Sequence, residues 1–218
     1  MLLHTVILPP RHVLEAVADV VRSAEDAAPA EDSPSRKGFL RPGGKRSSAA
    51  TSPTAARQLT LHPPWAMSLP IAGFGNVTSA DAVRLAAALQ TAAAGTPGAT
   101  MRIAGGTALE FTDDRNVWAR LGGDVDALKS MARGVTQVVE QHGFFVDRRR
   151  FRPMLRVATV TAATTGPFLE AVVAALDDFS GEPWTVDQVW LLKAFYGGDA
   201  TEFEVVDQFP LAPVAVTS

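Results

Sequence analysis

The sequence predicts an α+β fold with two similar halves, and three observations carry that expectation. Apolar runs of strand length alternate with segments of helical period. Their order is strand, helix, strand, helix, two strands, helix, strand, helix, two strands. With 47% hydrophobic residues among 218, the chain can bury a substantial core as one large domain or two intimately packed lobes. No run approaches the ~20 consecutive apolar residues that span a bilayer. The start from Met1 to Pro10 has neither a basic leader nor a small-residue cleavage site, so a cytoplasmic protein without membrane contact is expected.

The elements follow in order. Leu2 to Leu8 is apolar and contains β-branched residues, and Pro9-Pro10 closes it, which reads as a buried strand. Arg11 to Ser23 recurs at helical spacing through Val13, Leu14, Val17, Val20 and Val21. Residues 24–57 turn to Ala, Pro, Ser, Gly, Lys and Glu with almost no aliphatic bulk. Such a mixture cannot offset its ordering entropy, so a disordered surface insertion is expected there. Its basic pairs Arg36-Lys37 and Lys45-Arg46 make it a candidate tether for a protein partner or nucleic acid. Trp65 to Phe74 resumes as a strand, with Pro70 marking an edge or bulge and Gly73 and Gly75 ending it. Thr78 or Ser79 caps a helix over 80–94, which Gly95-Thr96-Pro97-Gly98 stops. Met101 to Phe111 and Asn116 to Leu121 form a hairpin around Thr112-Asp113-Asp114-Arg115, whose aspartates suit a turn. Asp124 to Gln141 is an amphipathic helix burying Leu128, Met131, Val135, Val138 and Val139. Met154 to Ala162 is a strand, Pro167 to Leu176 a helix, and Val186–Phe195 with Glu202–Phe209 a closing hairpin around Gly197-Gly198.

Composition narrows the chemistry. The absence of cysteine excludes disulfides, thiolate zinc sites and a cysteine nucleophile. The four histidines, His4, His12, His62 and His142, are scattered, and no metal or other cofactor is expected. A net charge of −3 gives no general affinity for nucleic acid, so polyanion binding needs a local patch. The best patch is Arg148-Arg149-Arg150-Phe151-Arg152-Pro153-Met154-Leu155-Arg156, a basic loop feeding a strand; a merely solvated basic turn is the plainer reading. Gly73-Phe74-Gly75 and Gly105-Gly106 lack phosphate-loop spacing and read as turns. His4 shares a strand face with Leu2 and Val6, His62 lies in a loop beside two prolines, and His12 and His142 decorate helix ends.

That basic stretch resembles the second signature of the two-histidine phosphoesterases, the 2′-5′ RNA ligases and RNA 2′,3′-cyclic phosphodiesterases, which reads Phe-Arg-Pro-His-x-Thr. The likeness extends over nearly the whole chain outside 24–57. Leu2 to Pro10 is similar to the family's opening strand, Trp65-Ala66-Met67-Ser68-Leu69 to its first His-x-Thr/Ser-Leu strand, Gly105 to Trp118 to its middle hairpin, and Val186 to Leu211 to its last hairpin.

The resemblance implies a single bilobal domain over residues 1–218. Its two pseudo-symmetric lobes, each an antiparallel sheet with helices outside, face one another across a cleft. It also implies which groups are missing. The histidine positions carry Ala66 and Met154, and the hydroxyl positions carry Ser68 and Arg156. Neither a methyl nor a thioether transfers a proton, and each lost acid or base is worth about 10²–10⁴ in rate. The expectation is a degenerate site in which Ser68, Arg152 and Arg156 bind a phosphorylated small molecule or RNA terminus without turnover. The alternatives are a collapsed cleft in a scaffold or interaction protein, with Arg156 paired to a carboxylate, and an active enzyme with displaced groups, His4 first among them.

Overall fold

The computed structural model describes residues 1–27, 57–147, 151–197 and 200–214. Most of the 24–57 insertion, Arg148-Arg149-Arg150 and the Gly198 tip of the closing hairpin lie outside them.

The strands are β1 (Leu2–Ile7), β2 (Leu59–Leu61), β3 (Leu69–Asn76), β4 (Ala99–Ala108), β5 (Asn116–Gly123), β6 (Met154–Val160), β7 (Trp184–Val186), β8 (Gln188–Gly197) and β9 (Ala200–Pro210). The helices are α1 (Arg11–Ala27), α2 (Ser79–Ala94), α3 (Val125–Gln141) and α4 (Gly166–Asp178), with a 3₁₀ turn at Pro64–Ala66. The strands form two antiparallel sheets, β3-β1-β8-β9 and β2-β6-β5-β4-β7.

The expected α+β class and two-sheet organisation are present, but successive halves of the sequence do not map onto successive lobes. The four-stranded sheet joins the first strands to the last, and the five-stranded sheet is drawn from the middle with β2 and β7 on its edges. The helices follow the same exchange. α1 packs against α4, which lies on β4, whereas α2 and α3 pack on each other and on β3, β8 and β9. One continuous core runs through both sheets, from Leu3, Ile7 and Leu69 to Met101, Val117, Leu155 and Val157. Each such aliphatic side chain contributes about 1.5–3 kcal/mol by leaving water.

Local chemistry accounts for the helix boundaries. Thr78 caps α2 by accepting from the Asp81 amide, satisfying a donor that the helix leaves free. α1 buries Val13, Leu14, Val17 and Val21 of the expected stripe together with Ala18, while Val20 is half-buried. α3 buries the expected residues apart from Val138, which is half-buried. Where the chain re-enters at Gln58, its carbonyl accepts from the hydroxyls of Thr161 and Thr164, and its side chain accepts from Thr165. These bonds hold β2 on the edge of β6.

The exit from β5 requires glycine. Gly123 sits at φ +95°, and a Cβ there would lie 2.4 Å from the Thr100 carbonyl oxygen, a backbone atom that cannot swing aside. Gly123→Ala is therefore expected to destabilise the fold by about 2–4 kcal/mol, read by denaturant unfolding. A loss below about 0.5 kcal/mol would contradict this close approach.

Candidate functional site

The five-stranded sheet turns one face to its helices and leaves the other open. Register decides what the open face carries. Leu155 pairs with Ala119 and Ala158 with Val117, all fully buried, so the alternate positions Met154, Arg156 and Thr159 on β6 point outward with Arg120, Trp118 and Asn116 on β5. Opposite Val117 and Trp118, β6 carries one extra residue, a bulge that turns Val157 and Ala158 both inward and brings Thr159 to the open face.

At the entry to β6, Phe111, Arg120, Lys129, Phe151, Arg152 and Met154 line a cavity of about 590 Å³. The Arg152 guanidinium lies 3.3 Å from the centre of the Phe111 ring, and Phe111 meets Trp118 edge-on at 5.9 Å. Arg120 is tied to Asp177 at 2.7 Å. The Gly106 amide and Arg120 together hold that carboxyl below the ordinary carboxylate range. Arg152 and Arg156 are exposed, and no carboxylate of the described residues pairs with either. The predicted pairing of Arg156 with a carboxylate is thus not found among those residues.

The hairpin aspartates separate into two roles. Asp113 takes the left-handed turn position at φ 60°. Asp114 accepts from Trp118 Nε1 at 2.7 Å, from Asn116 Nδ2 at 2.7 Å and from the Asn116 and Glu110 amides. Burial pushes its carboxyl up, but the donated hydrogen bonds outweigh burial and hold it below the usual range. It anchors Trp118 and Asn116 of the open face.

His62 is the residue whose place the sequence did not disclose. Its amide donates to the Val157 carbonyl at 2.8 Å, continuing the β2–β6 ladder, and its Nε2 lies 3.0 Å from Thr159 Oγ1. It is therefore not a free loop residue but part of the open face beside Arg156. Burial first and the Arg156 charge second lower its pKa below the ordinary 6.5, and the nearby Asn116 side chain opposes them. The unfolded chain then takes up its proton at higher pH than the folded one. The stability this group contributes is complete above about pH 6.5 and is lost as pH falls through the folded value. His62→Gln is expected to flatten that acid dependence, measured by denaturant unfolding across the range. An unchanged slope would contradict it.

The predicted residues are not all brought together. Met154, Arg152 and Arg156 share the β6 entry and its open face. Ala66 lies in the 3₁₀ turn beside α1, so the expected strand from Trp65 begins instead at Leu69. Pro64 at the first turn position explains the break, since proline suits a helical start. Ser68, half-buried, stands just before β3 in the other sheet and makes no hydrogen bond to either arginine. His4 pairs with Gly73 and Leu192, and its ring lies edge-on to Phe203 at 6.3 Å, in room left by Gly73. Among the described residues no group of three or more His, Cys, Asp or Glu is placed to hold a metal, and no helix is long and apolar enough to cross a membrane.

No protein-family model and no curated protein sequence matches the chain. Solved structures do. TT0787 of Thermus thermophilus superposes with a TM-score of 0.63 at 16% identity, over 97% of this chain and 98% of that one. LigT of E. coli in complex with 3′-AMP gives 0.61 at 14% identity over 96% and 97%, and a structure described as a phosphoesterase gives 0.61 at 15% over 96% and 97%. At such identities the likeness is one of fold, and with its sheets, helices and strand entries in these places, the chain has the fold of the two-histidine phosphoesterases, the 2′-5′ RNA ligase type among them.

Proposed function

We propose that this chain is a divergent, cytoplasmic protein of the two-histidine phosphoesterase type that binds a phosphorylated ligand, a nucleotide or RNA terminus, with little or no cyclic phosphodiesterase activity. The observation that carries this is the pair of exposed guanidiniums, Arg152 and Arg156, without a carboxylate partner among the described residues, flanking an entry where Met154 offers no proton. Guanidinium forks match phosphate oxygens, and the Phe111 and Phe151 rings in the adjoining cavity suit a base. LigT, whose fold this is, has been solved with phosphate, ATP and NADP+ as well as 3′-AMP.

In the first lobe we take Ser68, rather than Ala66, as the counterpart of Met154. Met154 opens β6 on its open face, and Ser68 is the residue immediately before β3, whereas Ala66 belongs to the turn. The residues two positions further on are Arg156 and Pro70, so neither entry retains the threonine of the resembling signature. Ser68 is then a hydroxyl donor to the ligand from the opposite lobe. Calorimetry with inorganic phosphate and a 2′,3′-cyclic nucleotide tests the reading: binding heat without hydrolysis is expected. Absence of heat with both favours the scaffold alternative, for which β9 offers exposed Phe203, Val205 and Val206. Turnover at ordinary enzymatic rates would overturn the loss of activity.

A further inference from the structure

The open face holds one imidazole, outside both strand entries, whose tautomer is set by its neighbours. Asn116 Nδ2 donates to Asp114 Oδ1 at 2.7 Å, which turns the amide oxygen toward Thr159. An amide oxygen only accepts, so the single hydroxyl hydrogen of Thr159 goes to Asn116 Oδ1, 3.0 Å away. The lone pairs of Thr159 Oγ1 then face His62 Nε2 at 3.0 Å, and that nitrogen must carry the hydrogen of the neutral ring. The bonds thus run in one direction, from His62 through Thr159 and Asn116 to Asp114, whose other oxygen is held by Trp118.

The consequence falls on the other ring nitrogen. With Nε2 protonated, Nδ1 of the neutral ring is a pure acceptor, and half-burial beside Arg156 favours the neutral form. Arg156, in turn, can only donate. The two stand on adjacent strands of one face: His62 continues β2 against Val157, next to Arg156 on β6. A dianionic phosphomonoester group alone satisfies the guanidinium and has no hydrogen for Nδ1. A phosphomonoester with a hydroxyl on the neighbouring carbon satisfies both.

We propose that His62 Nδ1 accepts a hydrogen bond from a ligand hydroxyl vicinal to the phosphate held by Arg156, so that the site selects vicinal hydroxy-phosphomonoesters, such as ribonucleoside 3′-phosphates, over their deoxy counterparts. This rests on the phosphate-binding reading above and adds a residue that belongs to neither signature. Calorimetry on the full chain near neutral pH, with inorganic phosphate, uridine 3′-phosphate and 2′-deoxyuridine 3′-phosphate, separates the two. The wild type should bind the ribonucleotide about fivefold more tightly than the deoxynucleotide, the worth of one neutral hydrogen bond. His62→Phe should bring that ratio to about one by weakening the ribonucleotide while leaving 2′-deoxyuridine 3′-phosphate binding unchanged. Thr159→Val, which releases the ring from its fixed tautomer, should reduce the ratio without removing phosphate binding. If inorganic phosphate and both nucleotides fail to bind the wild type, the phosphate-binding reading fails and the acceptor role with it. If phosphate binds but the wild type treats the two nucleotides alike, or His62→Phe keeps the preference, only the acceptor role of His62 is overturned.

Discussion

Arg156→Ala is expected to weaken binding of inorganic phosphate or a nucleotide monophosphate by about 10–100-fold, the loss of a hydrogen bond to a charged group worth about 1.5–3 kcal/mol. The side chain is exposed and has no carboxylate partner among the described residues, so stability should change by no more than about 0.5 kcal/mol. Arg156→Lys should recover part of the affinity, because the point charge survives and the planar fork does not. Arg152→Ala should weaken binding too, and it also bares the Phe111 ring that the guanidinium now covers. The measurement is titration calorimetry of each variant beside its unfolding curve. Unaltered phosphate affinity in Arg156→Ala would remove the central support for ligand binding on this face.

The second large effect is a gain. Installing histidine at both strand entries, as Ser68→His with Met154→His, should raise hydrolysis of a 2′,3′-cyclic nucleotide. One imidazole can take the proton from water while the other gives one to the leaving oxygen, each worth about 10²–10⁴ in rate. Either change alone leaves the reaction without one of its two proton carriers and should do far less. The pair Ala66→His with Met154→His is the control for register. With Ala66 held in the turn ahead of β3, it should not exceed Met154→His alone. If the Ala66 pair were the faster, the assignment of Ser68 to the strand entry would be wrong. Assays of phosphodiester hydrolysis at matched folded concentration decide between them.

Much of this architecture was readable because its signals are local. Helices α1 and α3 announce themselves by apolar period and α2 by its cap, and Asp113 marks a sharp turn by residue type. β2 and β7 escaped because three residues each are too few for alternation to show. The strand expected from Trp65 starts late because Pro63-Pro64 sets a 3₁₀ turn. The exchange of strands between sheets left no local trace, since β1 pairs with β8 across almost the whole chain.

The amino-acid sequence by itself determined the α+β class and the basic entry into β6 on which Met154 stands, because these depend on residue type and on spacing within a few positions. Only the tertiary structure decided that His62, 97 residues from Thr159, shares a face with it and Arg156, and that Asp114 anchors that face through Trp118 and Asn116. Strand pairing brings such groups together through hydrogen bonds made by every backbone alike, so their partnership is written in register and not in the residues on either side.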